Sequence, residues 1–580
     1  MRICDKKSNA DFVLRFIAHI FFCLLWVSLF WNSEAFLINT ILMAMVSSSC
    51  FPYAVRNCRK KLPLIFSAVF SFMSFAGEYK LFLPIKKHVF LVLLALLSGF
   101  FVFNSIFSAL TYFAGKKLNR NQTENVRKLK PELIFLLSFL VLSSVYTVVW
   151  YFLTYPGNLT PDSISSVRQA LTGKYSNHHP LLFTFTVQLF IKIGKILFGT
   201  INESVAVYVF FQLIFLSVIF AFSVMTMYQA GVKTVWVTAC VIFYAFTPYH
   251  YMFASTVWKD VLFGGGILLY ISALYRILNR IGRMWLNYIL LALGGVIFGL
   301  GRSNGLAAYF VFCIILYFIF KDIRAKPVLV NIVLVLFCFL CKRGLVSLLQ
   351  IPQADVVEYL SIPLQQTARL IVEKVKMREE EADVINQLMD PAAVKTEYLA
   401  FSSDPVKKIV RTHGADYLNS HLETFFLTYA KLGFRYPGIY VRAWIDQTRG
   451  FWNSGYKYWR WQIVISENEM GLVQTGNPAE IQNIIISWNY NFSNSMIFSP
   501  VLSIGLNVWC LVFLFYYDFV RKSIKIILVI PVLLLVGTLL VTTPVAYEFR
   551  YAYSVFTSLP FLAGIHLFEN ESFIITNVNR

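Results

Sequence analysis

Hydrophobic positions in this chain run together in long blocks separated by short polar breaks. Blocks with almost no charge lie near residues 12–31, 36–54, 62–77, 89–115, 132–154, 205–228, 234–254, 261–275, 284–300, 306–320 and 327–341. Three more fall at 495–518, 526–541 and 555–568. Most approach roughly 17–25 residues, the length that crosses a bilayer's hydrocarbon core as a helix. Barrel strands, which alternate apolar and polar positions over about ten residues, do not read this way. The pattern predicts a polytopic α-helical membrane protein. Composition agrees: of 580 residues, 58% are hydrophobic and 14% charged, with a mean hydropathy of +0.63. Soluble domains carry roughly 25% charged residues, so a soluble enzyme, a disordered chain and a disulfide scaffold are excluded.

Net charge is +21, and its placement argues against nucleic acid as a partner. Lys and Arg concentrate in the breaks 56–61, 116–130, 276–283, 321–326 and 521–525, the second of which holds six. Basic short loops mark the cytoplasmic side. If 116–130 is inside, alternation of the following spans puts the other late basic loops inside as well. The same alternation places Asp162, His178, Lys259, Arg302 and Arg550 together on the opposite face. It also places there residues 342–495, which hold more than half of the 30 Asp and Glu. Four regions are therefore expected: 1–131, N-terminal accessory helices; 132–341, a transmembrane core with a first outer loop at 155–204; 342–495, an extracytoplasmic soluble domain; and 496–580, C-terminal helices. The first apolar run is expected to be a retained span, since no small-residue cleavage site follows it. The nine cysteines show no metal-ligand spacing and none falls in a predicted outer loop, so neither disulfides nor structural zinc are expected.

Ionisable residues near membrane level are costly and often functional. Asp162 follows Thr160-Pro161 at a helix start, where a carboxylate interacting with the helix dipole is the plain reading and a general base at the membrane surface the functional one. His178-His179-Pro180 leads into an apolar stretch broken by Lys192 and Lys195, which fits a re-entrant or surface helix; the histidines are an interfacial anchor or a substrate-positioning pair. Lys259, with Asp260 beside it, starts a span, as a snorkelling lysine would. Arg302 stands in the turn Gly301-Arg302-Ser303-Asn304-Gly305, against the charge bias, and Glu548-Phe549-Arg550-Tyr551 follows a span end. Each alone is a polar residue near an interface. Together, three cations and an acid on one face suit a phosphate-bearing lipid, Arg offering a bidentate fork and Lys a point charge.

Asp162 after a span, the His179-Pro180-Leu181-Leu182 start of an amphipathic segment ending Ile196-Leu197-Phe198-Gly199, and the late Glu548-Phe549-Arg550-Tyr551 resemble elements of the GT-C membrane glycosyltransferases. The resemblance covers about residues 132–568. It implies a GT-C-like core of about 13–14 spans with an inserted, mostly α-helical extracytoplasmic domain, in a multi-pass protein of the cell membrane. It also implies an inverting hexosyl- or pentosyltransferase moving sugar from a polyprenyl-phosphate donor to a cell-envelope glycan or glycolipid on the outer face, with no metal or other cofactor indicated. Asp162 would be the general base. Lys259, Arg302 and Arg550 would hold the donor phosphate, and His178, His179, Asp260, Glu548, Tyr551, Gln366 and Arg369 would position substrate. The aromatic stretch 452–461 is a further candidate for acceptor contact. The soluble domain precedes the last three spans rather than ending the chain, and no W-W-D motif is present, which argues against protein N-glycosylation. Rival readings are a polysaccharide polymerase or ligase, and a transporter or flippase of lipid-linked sugars. Transporters place polar residues at the bilayer midplane; here the charges gather at one interface.

Overall fold

The computed structural model describes residues 6–30, 34–57, 60–81, 89–115, 129–176, 179–320, 325–351, 355–455, 462–475, 478–495 and 497–569. Helix is the only extended regular structure among them; backbone pairing outside helices is confined to isolated bridges. Among the described residues eight helices are long and apolar enough to cross a membrane, and six shorter ones are apolar. The chain is a helical membrane protein.

The N-terminal group comprises α1 (Lys6–Leu29), α2 (Glu34–Asn57), α3 (Lys61–Gly77) and α4 (Val89–Gly115). The central group follows: α5 (Pro131–Val149), α6 (Pro161–Thr172), α7 (Leu181–Phe198), α8 (Ile201–Gln229), α9 (Thr234–Phe246), α10 (Pro248–Ala254), α11 (Lys259–Leu278), α12 (Met284–Leu300), α13 (Gly305–Phe320) and α14 (Ala325–Leu348). Eight short helices form an inserted domain: α15 (Val356–Tyr359), α16 (Ser361–Val372), α17 (Glu379–Leu388), α18 (Pro391–Glu397), α19 (Asp404–His413), α20 (Ala415–Ser420), α21 (Leu422–Arg435) and α22 (Pro437–Thr448). After α23 (Ala479–Asn494), the chain closes with α24 (Ile504–Arg521), α25 (Ile526–Thr542) and α26 (Tyr553–Leu567).

Helix α11 is the axis of the molecule, almost entirely buried from Asp260 onward against α8, α12 and α26. Its Gly264-Gly265-Gly266 run makes this possible. A Cβ at these positions would stand 2.7 Å from Tyr553, 3.1 Å from Phe215 and 2.3 Å from Ile297 respectively, so three helices approach its backbone from three sides. The N-terminal group is fastened to α24 by edge-to-face aromatics, with Phe70 5.2 Å from Trp509 and Phe107 4.8 Å from Tyr516 between ring centres.

The segment expected as a re-entrant or surface helix is α7, joined to α8 by Gly199–Thr200 and packed on it. Phe190 stacks on Phe211 at 3.9 Å, while Lys192 and Lys195 lie on its exposed side. The inserted domain buries its own core of Leu364, Leu388, Val406, Val410, Phe425 and Leu432. Of the region 342–495, only the helices through α22 belong to it. Residues 462–475 and α23 lie along the central group instead: Gln482 donates to the Phe152 carbonyl at 3.1 Å and Trp488 to that of Phe246 at 3.0 Å.

Candidate functional site

Four separate stretches meet at the N-terminal end of α11, and each is placed for local reasons. Pro161 starts α6, preset for a helical φ, and Thr160 and Ser163 cap it reciprocally, which puts Asp162 in the first turn. The preceding loop is pinned by Asn158, which is buried. It pairs with the strand-like stretch at Ser255–Thr256, and its side chain donates to Thr256 Oγ1 at 3.1 Å and accepts from the Val464 amide at 2.9 Å. Trp258 sits just ahead of α11 and donates to Thr160 Oγ1 at 2.8 Å, tying the two helix starts together. Arg302 comes from the turn between α12 and α13, and Glu548–Tyr551 from the turn between α25 and α26.

Ion pairs organise the cluster. Arg302 pairs with Asp260, also reaches the Tyr551 carbonyl at 3.4 Å, and lies over the Tyr551 ring at 4.9 Å. Both partners are nearly sealed from solvent, at 10% and 1% side-chain exposure. Arg550 donates from Nη1 to Asp162 Oδ2 at 2.5 Å, stands 3.3 Å from Glu548 Oε1 through Nε, and lies over the Trp258 ring at 5.0 Å. Lys259 is half-buried and makes no hydrogen bond or ion pair with any described residue. Two of the three cations are thus in direct ion pairs with carboxylates, and the third feels Asp260 and Asp162 without contacting them.

The same arrangement splits the two rim carboxylates. Burial pushes the Asp162 carboxyl up, but Arg550, Lys259 and His179 outweigh it and hold it below the usual carboxylate range. Burial pushes Glu548 up, Arg550 opposes, and Asp260, Asp162 and Asp404 add to the rise, so its carboxyl ends above that range. Burial weakens the charge on Arg550, yet Tyr551, Asp260, Asp162 and Glu548 more than restore it. The Tyr551 phenol is pushed up to about 12, chiefly by burial.

Of the other expected residues, His179 is buried close to Asp162, and His178 lies outside the described residues. Gln366 and Arg369 are not brought to the cluster. Gln366 is spent on the Tyr440 carbonyl at 3.0 Å and the Tyr429 hydroxyl at 2.5 Å inside the inserted domain. Arg369 is spent on Glu373 at 2.8 Å and Asp446 at 2.9 Å. Trp452 packs at the foot of that domain against Trp444, and residues 456–461 of the aromatic stretch lie outside the described residues. Among the described residues no group of three or more His, Cys, Asp and Glu could hold a metal ion.

Sequence reasoning passed over the grip of the inserted domain on the turn that carries Arg550. Gln447 donates to the Thr543 carbonyl at 2.8 Å, the Ser403 amide to that of Pro544 at 2.8 Å, and the Ala546 amide to that of Phe401 at 2.9 Å. Behind Gln447, Asp446 is sealed at 1% exposure. It collects Tyr79 at 2.9 Å and Lys80 at 3.0 Å from the end of α3, besides Arg369. Only the buried carboxylate in a polar-looking helix could have hinted at this; its partners lie hundreds of residues away.

Comparison with curated proteins and with solved structures finds no match. A family model matches residues 169–573, well over half of the chain, taking in the inserted domain, Lys259, Arg302 and the Glu548–Tyr551 turn and leaving out α1–α5 and Asp162. The chain belongs to the family of unknown function DUF6020.

Proposed function

We propose that the protein is a membrane glycosyltransferase that moves a sugar from a polyprenyl-phosphate donor to a cell-envelope glycan or glycolipid. The observation that carries this reading is the cluster at the start of α11, where Lys259 makes no ion pair of its own among the described residues, beside two arginines that do. A half-buried ammonium that feels Asp260 and Asp162 but bonds to neither keeps its N–H donors for an anion brought from outside. Charge building on a departing phosphate is stabilised there by Lys259 and by the fixed field of Arg302 and Arg550. Asp162 has one oxygen held by Arg550 and is 37% exposed, so its other oxygen is free to orient an acceptor hydroxyl for attack on the anomeric carbon. Single displacement inverts that carbon. The basic loops argue for an extracytoplasmic site.

The test offers undecaprenyl-phosphate-linked hexoses and pentoses, radiolabelled, to membranes holding the wild type or Lys259→Met at matched expression. Label transferred to envelope material by the wild type and lost in the variant supports the reading. Transfer only from pyrophosphate-linked donors would move it to a polymerase, and label that crosses the bilayer without being transferred would move it to a flippase.

A further inference from the structure

Resting on that reading, we propose that Glu548, and not Asp162, takes the proton from the attacking acceptor hydroxyl. The Arg550 guanidinium stands between the two carboxylates and treats them unequally. Its Nη1 donates to Asp162 Oδ2 at 2.5 Å, whereas its Nε lies 3.3 Å from Glu548 Oε1 without pointing its N–H at that oxygen. No side chain or backbone N–H among the described residues donates a hydrogen bond to the Glu548 carboxylate, so its lone pairs are open. It is 27% exposed on the same rim as Asp162.

The charged groups that act most strongly on Glu548 are Arg550 on its own turn, Asp162 on α6, Asp260 on α11 and Asp404 on α19. Burial together with Asp260, Asp162 and Asp404 outweighs Arg550 there and favours the protonated acid, whereas Arg550 and Lys259 keep Asp162 ionised. A general base works best when its proton affinity approaches the operating pH, and of the two carboxylates Glu548 is the nearer. Its backbone is also held: the Ala546 amide is bonded to Phe401 and the Tyr551 amide donates to the Glu548 carbonyl at 3.1 Å. In the step, the acceptor oxygen forms its bond to the anomeric carbon as the bond from that carbon to the phosphate oxygen breaks. The electron pair leaves with the polyprenyl phosphate, and the hydroxyl proton passes to Glu548 and then to water. Asp162 keeps Arg550 in place throughout.

Two measurements on the full-length protein test this. First, carbodiimide, which reacts with protonated carboxyls, is applied across a pH series and the adducts are mapped by peptide mass spectrometry. Glu548 should react up to a higher pH than Asp162; the reverse order overturns the proposal. Second, transfer is followed with whichever undecaprenyl-phosphate sugar the wild type uses. Glu548→Gln should lose about 100-fold or more with undecaprenyl-phosphate affinity unchanged. Glu548→Asp should retain activity with its acid limb moved to lower pH, and formate should revive Glu548→Ala but not Asp162→Ala. A working wild type with an undiminished Glu548→Gln variant, or formate rescue of Asp162→Ala alone, overturns the assignment and leaves the glycosyltransferase reading standing. A wild type that transfers from none of the donors overturns both.

Discussion

At the scale of single residues, the Arg302–Asp260 pair and the unpaired Lys259 have opposite consequences when removed. Arg302 and Asp260 are both out of water, so taking away the guanidinium strands a buried carboxylate. Arg302→Met is expected to cost about 3–5 kcal/mol, read as a fall in the melting temperature of the detergent-solubilised protein, and adding Asp260→Asn should restore part of it. Lys259→Met breaks no hydrogen bond or ion pair among the described residues, and Asp162 and Asp260 keep their arginines. It should leave the melting temperature near wild type while weakening undecaprenyl phosphate by about 10- to 100-fold in a titration.

The rim carboxylates give a pH signature with a definite sign. Asp162 is depressed when folded, so its share of stability is present above the unfolded pKa and is lost as pH falls through the folded one. Glu548 is raised, so the native state holds its proton longer than the unfolded chain does, and stability declines as pH climbs from the ordinary glutamate pKa to the folded one. Melting curves across pH should show the second decline vanish in Glu548→Gln. A decline that persists unchanged would mean another group causes it.

Among elements, the helices were legible because a bilayer-length apolar block has few other solutions. What stayed hidden was how the short turns between them are aimed. The Arg550 turn is the example: its preceding residues 543–547 are bonded at three carbonyls and amides to α22 and to Phe401 and Ser403 just before α19. Gly450, just past α22, lies against this turn so closely that a Cβ would stand 2.3 Å from the Ala546 oxygen. Gly450→Val should therefore push the turn away and misplace Arg550. Weakened binding of undecaprenyl phosphate together with a lower melting temperature is the expected result. Tight binding in that variant would mean the turn holds its shape without the inserted domain.

For the whole molecule, Asp446 is the point where three bodies meet. The N-terminal group supplies Tyr79 and Lys80, the inserted domain supplies Arg369, and the next residue, Gln447, reaches the turn at Thr543. The accessory helices lie outside the family match, yet they contribute to the support of the site. Asp446→Ala should cost about 3 kcal/mol or more, and hydrogen exchange should speed up in α3's end, α22 and residues 543–547 together. Faster exchange confined to α22 would show that the three bodies are not joined there.

The chain by itself determined its solvent. Long apolar blocks must be helices in a bilayer, short basic breaks mark one face, and the acids and cations that break the charge bias stand out one by one. That is why Asp162, Lys259, Arg302 and Arg550 could be singled out. Pairing was beyond its reach. Whether Arg550 meets Asp162 or Glu548, whether Gln366 and Arg369 face substrate or their own domain, and which cation is left without an ion pair depend on contacts between residues up to several hundred positions apart. Such contacts are set by how the helices pack, around the buried glycine run of α11 for the cluster and within the inserted domain for Gln366 and Arg369. Side-chain identity carries no trace of its partner until the fold brings the two together.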